Sequence, residues 1–202
     1  QGAGCRRGDP RLEHPDAGVR RAALEALRQV AGRGDRLAVS AAMGLLGHAD
    51  GGVRCTAVQA LGHLAESSDE AAIRALIACF EDTDTDVRRS APPALLEAAG
   101  RGNSAALLAA APYFEHGDAE VRREALLALP HLASRGDEFA VAAASACLQD
   151  PDLYARSAAV GALAQVAEAD DPRALEALKA CWQSESDVVI RGEVEHAISQ
   201  FQ

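Results

Sequence analysis

The dipeptide Val-Arg recurs at a fixed interval. Val19-Arg20, Val53-Arg54, Val87-Arg88 and Val121-Arg122 stand 34 residues apart. One more step of 34 gives Ala155-Arg156, and a step of 35 gives Ile190-Arg191. Other columns keep step with this anchor. Three residues before it stand Asp16, Asp50, Asp84, Asp118, Asp152 and Asp187, and eight after it Leu27, Leu61, Leu95, Leu129, Leu163 and Ile198. Seven before it stands a large apolar residue, Leu12, Leu46, Phe80, Phe114 or Leu148, with Trp182 one place further off. Self-similarity at such a period restricts the chain to one small unit stacked on copies of itself.

The unit reads as two helices. The second carries Val19, Ala23, Ala26, Leu27 and Val30 at spacings of three and four, which sets one stripe inward. The first, beginning at Asp69 in the third unit, carries Ala72, Ile73, Leu76, Cys79 and Phe80 in the same way. Composition agrees: 46 alanines against 3% aromatic residues favour helix and argue against a β-rich fold. The Asp column stands where an N-cap oxygen would accept free helix amides. Gly34, Gly102 and Gly136 fall just past second helices, where a left-handed residue is wanted, and Asp35, Asn103 and Asp137 follow as caps of the next helix. A single helix pair cannot bury its stripe alone, so the fold expected is all-α, a stack of antiparallel helix pairs.

The pattern D-x-x-V-R-x-x-A-x-x-A-L, as in Asp16 to Leu27 and Asp50 to Leu61, resembles HEAT-like repeats, most closely the short bacterial kind named after phycobilisome lyases. The resemblance spans about residues 11–202 and implies a right-handed α-solenoid whose second helices line a concave face. It also implies a structural ladder in which Asp16, Asp50, Asp84, Asp118, Asp152 and Asp187 pair with Arg20, Arg54, Arg88, Arg122, Arg156 and Arg191. The expected domain is one solenoid, 1–202, with a partial unit at 1–33 and units at 34–67, 68–101, 102–135, 136–169 and 170–202. The first departs from the pattern: its leading helix would fall at residues 2–13, which hold Gly2, Gly4, Gly8 and Pro10. It reads as a frayed or missing helix, either inside a longer array or as an irregular cap. Glu195, Ser199 and Gln200 give the last helix a polar face suited to a terminal cap.

Net charge is −10, the wrong sign for a general nucleic-acid binder. The distribution is uneven: residues 1–40 hold eight Arg and five acids, residues 101–202 eight bases and sixteen acids. DNA glycosylases built from HEAT-like repeats need a basic, aromatic groove, whereas Trp182 sits here in a core column. No apolar run reaches the 18 or so residues of a membrane span, so no membrane partner is expected. The chain starts at Gln1, which leaves open whether a targeting segment has been removed.

Several motifs invite chemistry and have a plainer reading. Arg-Gly-Asp occurs at 7–9, 33–35 and 135–137, but the last two share a repeat column with Arg101-Gly102-Asn103 and supply a late-turn cation, a helix-ending Gly and an N-cap. His14, His48 and His116 share a column in the turn between helices, which Asp82 and Asp150 fill elsewhere. Turns on helices ~8–10 Å apart cannot share an ion needing contacts of ~2.0–2.1 Å, so no metal is expected. Cys79, Cys147 and Cys181 share a core column with Leu45 and Tyr113, whereas Cys55 aligns with Arg21, Arg89 and Arg123 and is expected to be exposed, which suits the cytoplasm or another reducing compartment. No phosphate loop, nucleophile elbow or paired-carboxylate signature is present, and no cofactor is expected.

In a stack of repeats, core columns stay constant and surface columns vary. The varying second-helix columns are those of Arg21, Glu25 and Arg28, which become Arg89, Pro93 and Leu96 in the third unit and Arg123, Leu127 and Pro130 in the fourth. Apolar residues edged by arginines have the make-up of a protein-binding patch. Pro92-Pro93 removes two backbone donors inside a helix and is expected to kink it. The function expected is a non-catalytic scaffold binding a protein or peptide on the concave face through Arg89, Pro93, Leu96, Arg123, Leu127 and Pro130. The competing readings are a bilin lyase subunit or phycobilisome-associated chaperone and, more remotely, a DNA-glycosylase-like protein.

Overall fold

A computed structural model describes residues 11–201. Among them are eleven α-helices and no strand. The second helices of the repeats are α1 (Ala17–Val30), α3 (Gly51–Leu64), α5 (Thr85–Ala99), α7 (Ala119–Leu132), α9 (Leu153–Val166) and α11 (Val188–Ser199). The first helices are α2 (Arg36–Leu45), α4 (Glu70–Ala78), α6 (Ser104–Ala110), α8 (Glu138–Cys147) and α10 (Pro172–Ser184). Single 3-10 turns, Cys79–Glu81 and Ala111–Glu115, extend α4 and α6. The expected leading helix of the first repeat falls largely outside the described residues.

The helices gather into two compact units, Gln1–Gly100 and Arg101–Gln202. In the first, α3 is the hub, packing on α1, α2 and α5. In the second, α9 takes that place, with α7, α8 and α11 around it. The repeat columns form the cores: Leu61 and Leu95 are fully buried in one unit, Leu129 and Leu163 in the other, as are Phe80 and Leu148.

Each Asp of the expected cap column caps its helix. Asp16 accepts the Gly18 amide at 2.7 Å, Asp118 that of Glu120 at 2.9 Å and Asp152 that of Tyr154 at 2.9 Å. First helices are capped alike, as Asp137 accepts from Ala140 at 2.9 Å.

The Arg-Gly-Asp column is a clamp between repeats. Gly34, at φ 79°, donates its amide to the Leu64 carbonyl at 2.7 Å, and Gly136, also at φ 79°, donates to Val166 at 2.6 Å. The arginine beside each glycine caps the same helix end: Arg33 donates to the Ala65 carbonyl at 3.0 Å and Arg135 to Ala167 at 2.9 Å. The Asp then caps the next helix. All three residues are committed to the frame. The copy at residues 7–9 lies outside the described residues.

One expectation is corrected here. Val30 is 83% exposed and Ala26 is exposed, while Leu24 takes their place in the buried stripe of α1. That helix packs chiefly on α3, so one flank of its stripe meets no second layer among the described residues. The tandem prolines do not break their helix: α5 runs without interruption through Pro92 and Pro93. Two lost amide donors cost about 0.5–1.5 kcal/mol each. Val87, Ala91, Pro92, Ala94 and Leu95 are buried, mostly against α3, and that packing holds the helix together. Arg89, whose carbonyl loses its donor to Pro93, is exposed, so water can satisfy it.

Candidate functional site

The buried ion pairs sort scaffold from site. Arg54 grips Asp82 with two hydrogen bonds, Nε to Oδ2 at 2.8 Å and Nη2 to Oδ1 at 2.6 Å. Arg122 holds Asp150 in the same way at 2.6 and 2.7 Å, and Arg156 holds Glu185 at 2.7 and 3.2 Å. Each arginine also donates Nη1 to a carbonyl of its own turn, at His48, His116 and Asp150 respectively. The ladder therefore exists, but these three rungs are not those expected. The cap aspartates each commit Oδ1 to helix amides, and the arginine reaches instead for the acid two residues before the next cap.

That acid column is the one histidines fill elsewhere, and both residue types do one shared job. Asp82, Asp150 and Glu185 accept the amide of the cap residue at 2.8, 2.8 and 2.9 Å. His14, His48 and His116 accept it through Nδ1 at 3.0, 3.0 and 3.1 Å. Only the acids add a charge for the preceding arginine. Arg20, whose counterpart in the next turn is His48, keeps its two carbonyl bonds at 2.8 and 2.9 Å, but its Nε is buried without a partner. Arg191 lies over the Trp182 ring of its own repeat, 4.7 Å from the centroid.

The electrostatics follow. The Arg54 hydrogen bonds hold the Asp82 carboxyl below the usual carboxylate range, and those of Arg156 do the same for Glu185. Burial pushes Asp150 up, but the bonds from Arg122 and the Asp152 amide outweigh it, so it too lies low. The thiols go the other way. Burial pushes Cys79 up to about 12 and Cys147 to about 11, and it raises Cys55 and Cys181 as well. Cys55 is half-buried rather than exposed, its Sγ 3.9 Å from the Asp86 carbonyl, because the neighbouring helix α5 covers its column. Such thiols are poor nucleophiles. Among the described residues no group of three His, Cys, Asp or Glu is placed to hold a metal ion. No helix among them is long and apolar enough to cross a membrane.

The three variable columns are not equally open. Glu25, Gln59, Pro93, Leu127, Gly161 and His196 are all exposed and form the outer ridge of the second helices. The column three residues on turns toward the neighbouring second helix. Gly62 is buried, Leu96 and Ala164 are half-buried, and Pro130 is buried, contrary to its expected exposure. At Gly62 the helices approach so closely that an added Cβ would lie 2.8 Å from the Ala94 Cα.

Of the six patch residues, Arg89, Pro93 and Leu96 lie on α5 of the first unit, and Arg123, Leu127 and Pro130 on α7 of the second. In the second unit the structure adds partners that sequence columns did not single out. Arg123, Leu127 and Pro130 line a hollow of about 300 Å³ between α7 and α9, opposite Tyr154, Ser157, Gly161 and Gln165. A hollow of about 400 Å³ follows between α9 and α11, reusing Ser157, Gly161 and Gln165 and adding Glu193, His196 and Gln200. Leu127 is 42% and Tyr154 59% exposed, and the Arg123 guanidinium lies 6.0 Å from the Tyr154 ring centroid. Tyr154 stands where other repeats have Gly52, Asp86 or Glu120, a contrast legible in the sequence but outside the three columns compared. In the first unit a cleft of about 460 Å³ lies at the C-terminal ends of α3 and α5, where Arg33 is spent on backbone carbonyls, Glu97's among them.

Capped helix pairs clamped by repeated Arg, Gly and Asp columns define an α-helical repeat protein. The profile of HEAT repeats matches residues 10–96 and 104–199, and the chain belongs to that family. No curated protein matches it in sequence. Its fold is similar to a structure solved to explain microtubule plus-end tracking by XMAP215, CLIP-170 and EB1, with TM-score 0.66, 15% identity and coverage of 95% of this chain and 88% of the other. A designed armadillo repeat protein in complex with the peptide (KR)4 gives TM-score 0.53 at 20% identity over 95% and 97%. The archaeal HEAT-like repeats protein from Thermococcus onnurineus NA1 gives TM-score 0.54 at 14% identity over 94% and 76%.

Proposed function

We propose that this protein is a non-catalytic scaffold that binds a protein or peptide on the exposed face of its second helices, principally α7, α9 and α11. The observation that carries the reading is the pair of hollows flanking α9, with Leu127 and Tyr154 standing exposed at their edge. Large apolar side chains beside an arginine and neutral hydrogen-bonding groups make a surface that can bury area and still fix register. The residues that could suggest catalysis have other occupations. The turn histidines accept cap amides, the thiols are held protonated by burial, and the two described Arg-Gly-Asp motifs clamp repeats. The designed armadillo neighbour with its bound peptide lends the fold a precedent for such a role. In the first unit, exposed Arg89 and Pro93 with half-buried Leu96 offer a smaller surface of the same kind.

The test is a selection from a displayed random-peptide library, with Leu127→Glu as counter-screen. Leu127 lies outside the core, so circular dichroism and melting should be unchanged. Selected peptides should lose about 2 kcal/mol of affinity, the usual cost at a central contact. Peptides that bind the variant as well as the parent would place the surface elsewhere, and an unfolded variant would make Leu127 core.

A further inference from the structure

Resting on that reading, we infer that the groove across α9 takes a short extended peptide with two small apolar side chains three residues apart, an acidic residue at the α7 end and a basic residue at the α11 end. Four observations carry this. The hollows are consecutive, one on each side of α9, so their centres are separated by about one helix spacing, roughly 8–10 Å. Their shared floor is small: Gly161 is exposed, and a Cβ built there meets nothing within 4 Å. Their outer walls carry opposite charge, Arg123 on α7 and Glu193 on α11. Arg123 keeps donors to give, since Glu120 stands 3.7 Å away, beyond hydrogen-bond reach, and Tyr154 offers only its ring.

The spacing selects the backbone. A polyproline II chain rises about 3.1 Å per residue with three residues per turn, so side chains three apart share a face and lie about 9.3 Å from one another. A β-strand puts same-face side chains about 6.7 or 13 Å apart, and neither matches one helix spacing. A segment of six residues in this conformation spans about 15 Å, enough to bring its two ends near α7 and α11. Gln165 and Gln200 stand along the path. Each side-chain amide already makes one contact in its own helix, with the Gly161 carbonyl at 3.1 Å and the His196 Nε2 at 3.2 Å, and keeps its second hydrogen for a peptide carbonyl. A uniformly basic peptide meets Arg123 and a uniformly acidic one meets Glu193, so the geometry calls for a segment with both signs.

The experiment uses fluorescein-labelled Ser-Asp-Val-Pro-Pro-Val-Lys-Ser and the whole chain, read by fluorescence polarisation at low salt. Comparison peptides have one proline fewer or one more between the valines, or carry Asp at both ends or Lys at both ends. The first peptide should bind at least tenfold tighter than all four. Gly161→Leu fills the shared floor without touching the fold and should cost at least tenfold. Arg123→Glu should move the preference to the peptide with two Lys, and Glu193→Arg, a second variant on another helix, to the one with two Asp. Preferences that neither charge variant moves would overturn the inference. If Gly161→Leu abolishes binding of all five peptides and they otherwise bind alike, the pattern is wrong while the groove stands. If no peptide binds and the library selection yields nothing sensitive to Leu127→Glu, both the pattern and the proposed function fail.

Discussion

Arg122→Ala tests the ladder where it is best formed. Arg122 is 12% exposed and Asp150 6%, and two charge-assisted hydrogen bonds of 2.6 and 2.7 Å join them. Truncating the arginine also removes its 2.7 Å bond to the His116 carbonyl. Asp150 is left buried as a carboxylate with the Asp152 amide as its remaining strong donor, at 2.8 Å. Breaking a buried pair from one side costs ~3–5 kcal/mol, because the partner's desolvation is no longer compensated. Arg122 keeps some exposure to water, which points to the low end, about 3 kcal/mol. For a chain of this length melting as one body, that is a fall in Tm of roughly 6–12 °C. Asp150→Asn keeps an acceptor for the cap amide but removes the charge. The double variant should therefore be less destabilised than the two single variants summed, with a coupling above about 1 kcal/mol. Arg122→Ala within about 0.5 kcal/mol of the parent, or strict additivity, would refute the reasoning.

Acid unfolding gives the same test a sign. Asp82, Asp150 and Glu185 have folded pKa values held below the ordinary carboxylate range. A group lowered on folding contributes stability that is fully present above its unfolded value, about 4, and is lost as pH falls through the folded value. The parent should thus be flat above about pH 5 and weaken progressively below about pH 4. In Arg122→Ala the burial that pushes Asp150 upward is no longer opposed by the arginine. Its deficit against the parent should be greatest near neutrality and shrink in acid, where Asp150 is protonated in both proteins. A deficit that grows in acid would contradict the assignment.

Two further outcomes follow from the same geometry. His48→Asp should give buried Arg20 the carboxylate that Arg54 and Arg122 already have, and raise Tm by several degrees in a thermal melt; an unchanged or lower Tm would show that Arg20 cannot reach the next turn. Gly62→Ala and Gly161→Ala, both within helices, should differ in sign: the first drives a Cβ into the Ala94 backbone and costs about 1–2 kcal/mol net, the second meets open space and gains up to ~1 kcal/mol of helix propensity. Parallel melts of the two variants check this.

Sequence columns carried the scaffold because the same solution is repeated six times. The Asp caps, the Leu and Val columns, the left-handed glycines and the helix pairing all stand where the period put them. What the period could not show is which of two nearby acids an arginine chooses. Asp50 and Asp82 both lie near Arg54 in the pattern, and the choice rests on the cap aspartates already being engaged with helix amides. Nor could it separate adjacent surface columns. A step of three residues turns a helix by about 300°, which carries a side chain from open face to neighbouring helix. Hence Leu127 is exposed and Pro130, three residues on, is buried. The prolines of α5 show the limit of local rules, since burial of Pro92 and its neighbours outweighs two missing amides.

The division of labour among columns also explains how a surface can vary freely on this frame. Each polar column near the turns meets a backbone demand: the cap Asp takes helix amides, the residue two before it takes the cap's own amide, and the Arg of the Arg-Gly-Asp column takes helix-end carbonyls. The cap Asp recurs in every repeat, and the column two before it takes His, Asp or Glu, each able to accept the cap amide. The Arg-Gly pair stands at 33–34, 101–102 and 135–136 but is Ser67-Ser68 and Ala169-Asp170 elsewhere. The outer ridge faces no backbone group in need of a partner. It can hold Gln59, Pro93, Leu127, Gly161 and His196 in turn without cost to the core. The last two repeats use that freedom most strongly, setting Tyr154 and Val189, 59% and 70% exposed, at positions where earlier repeats carry glycine or an acid. Large apolar side chains held in water by a frame that does not need them have to be accounted for by something the frame does not contain, and Tyr154 among them lines the groove across α9.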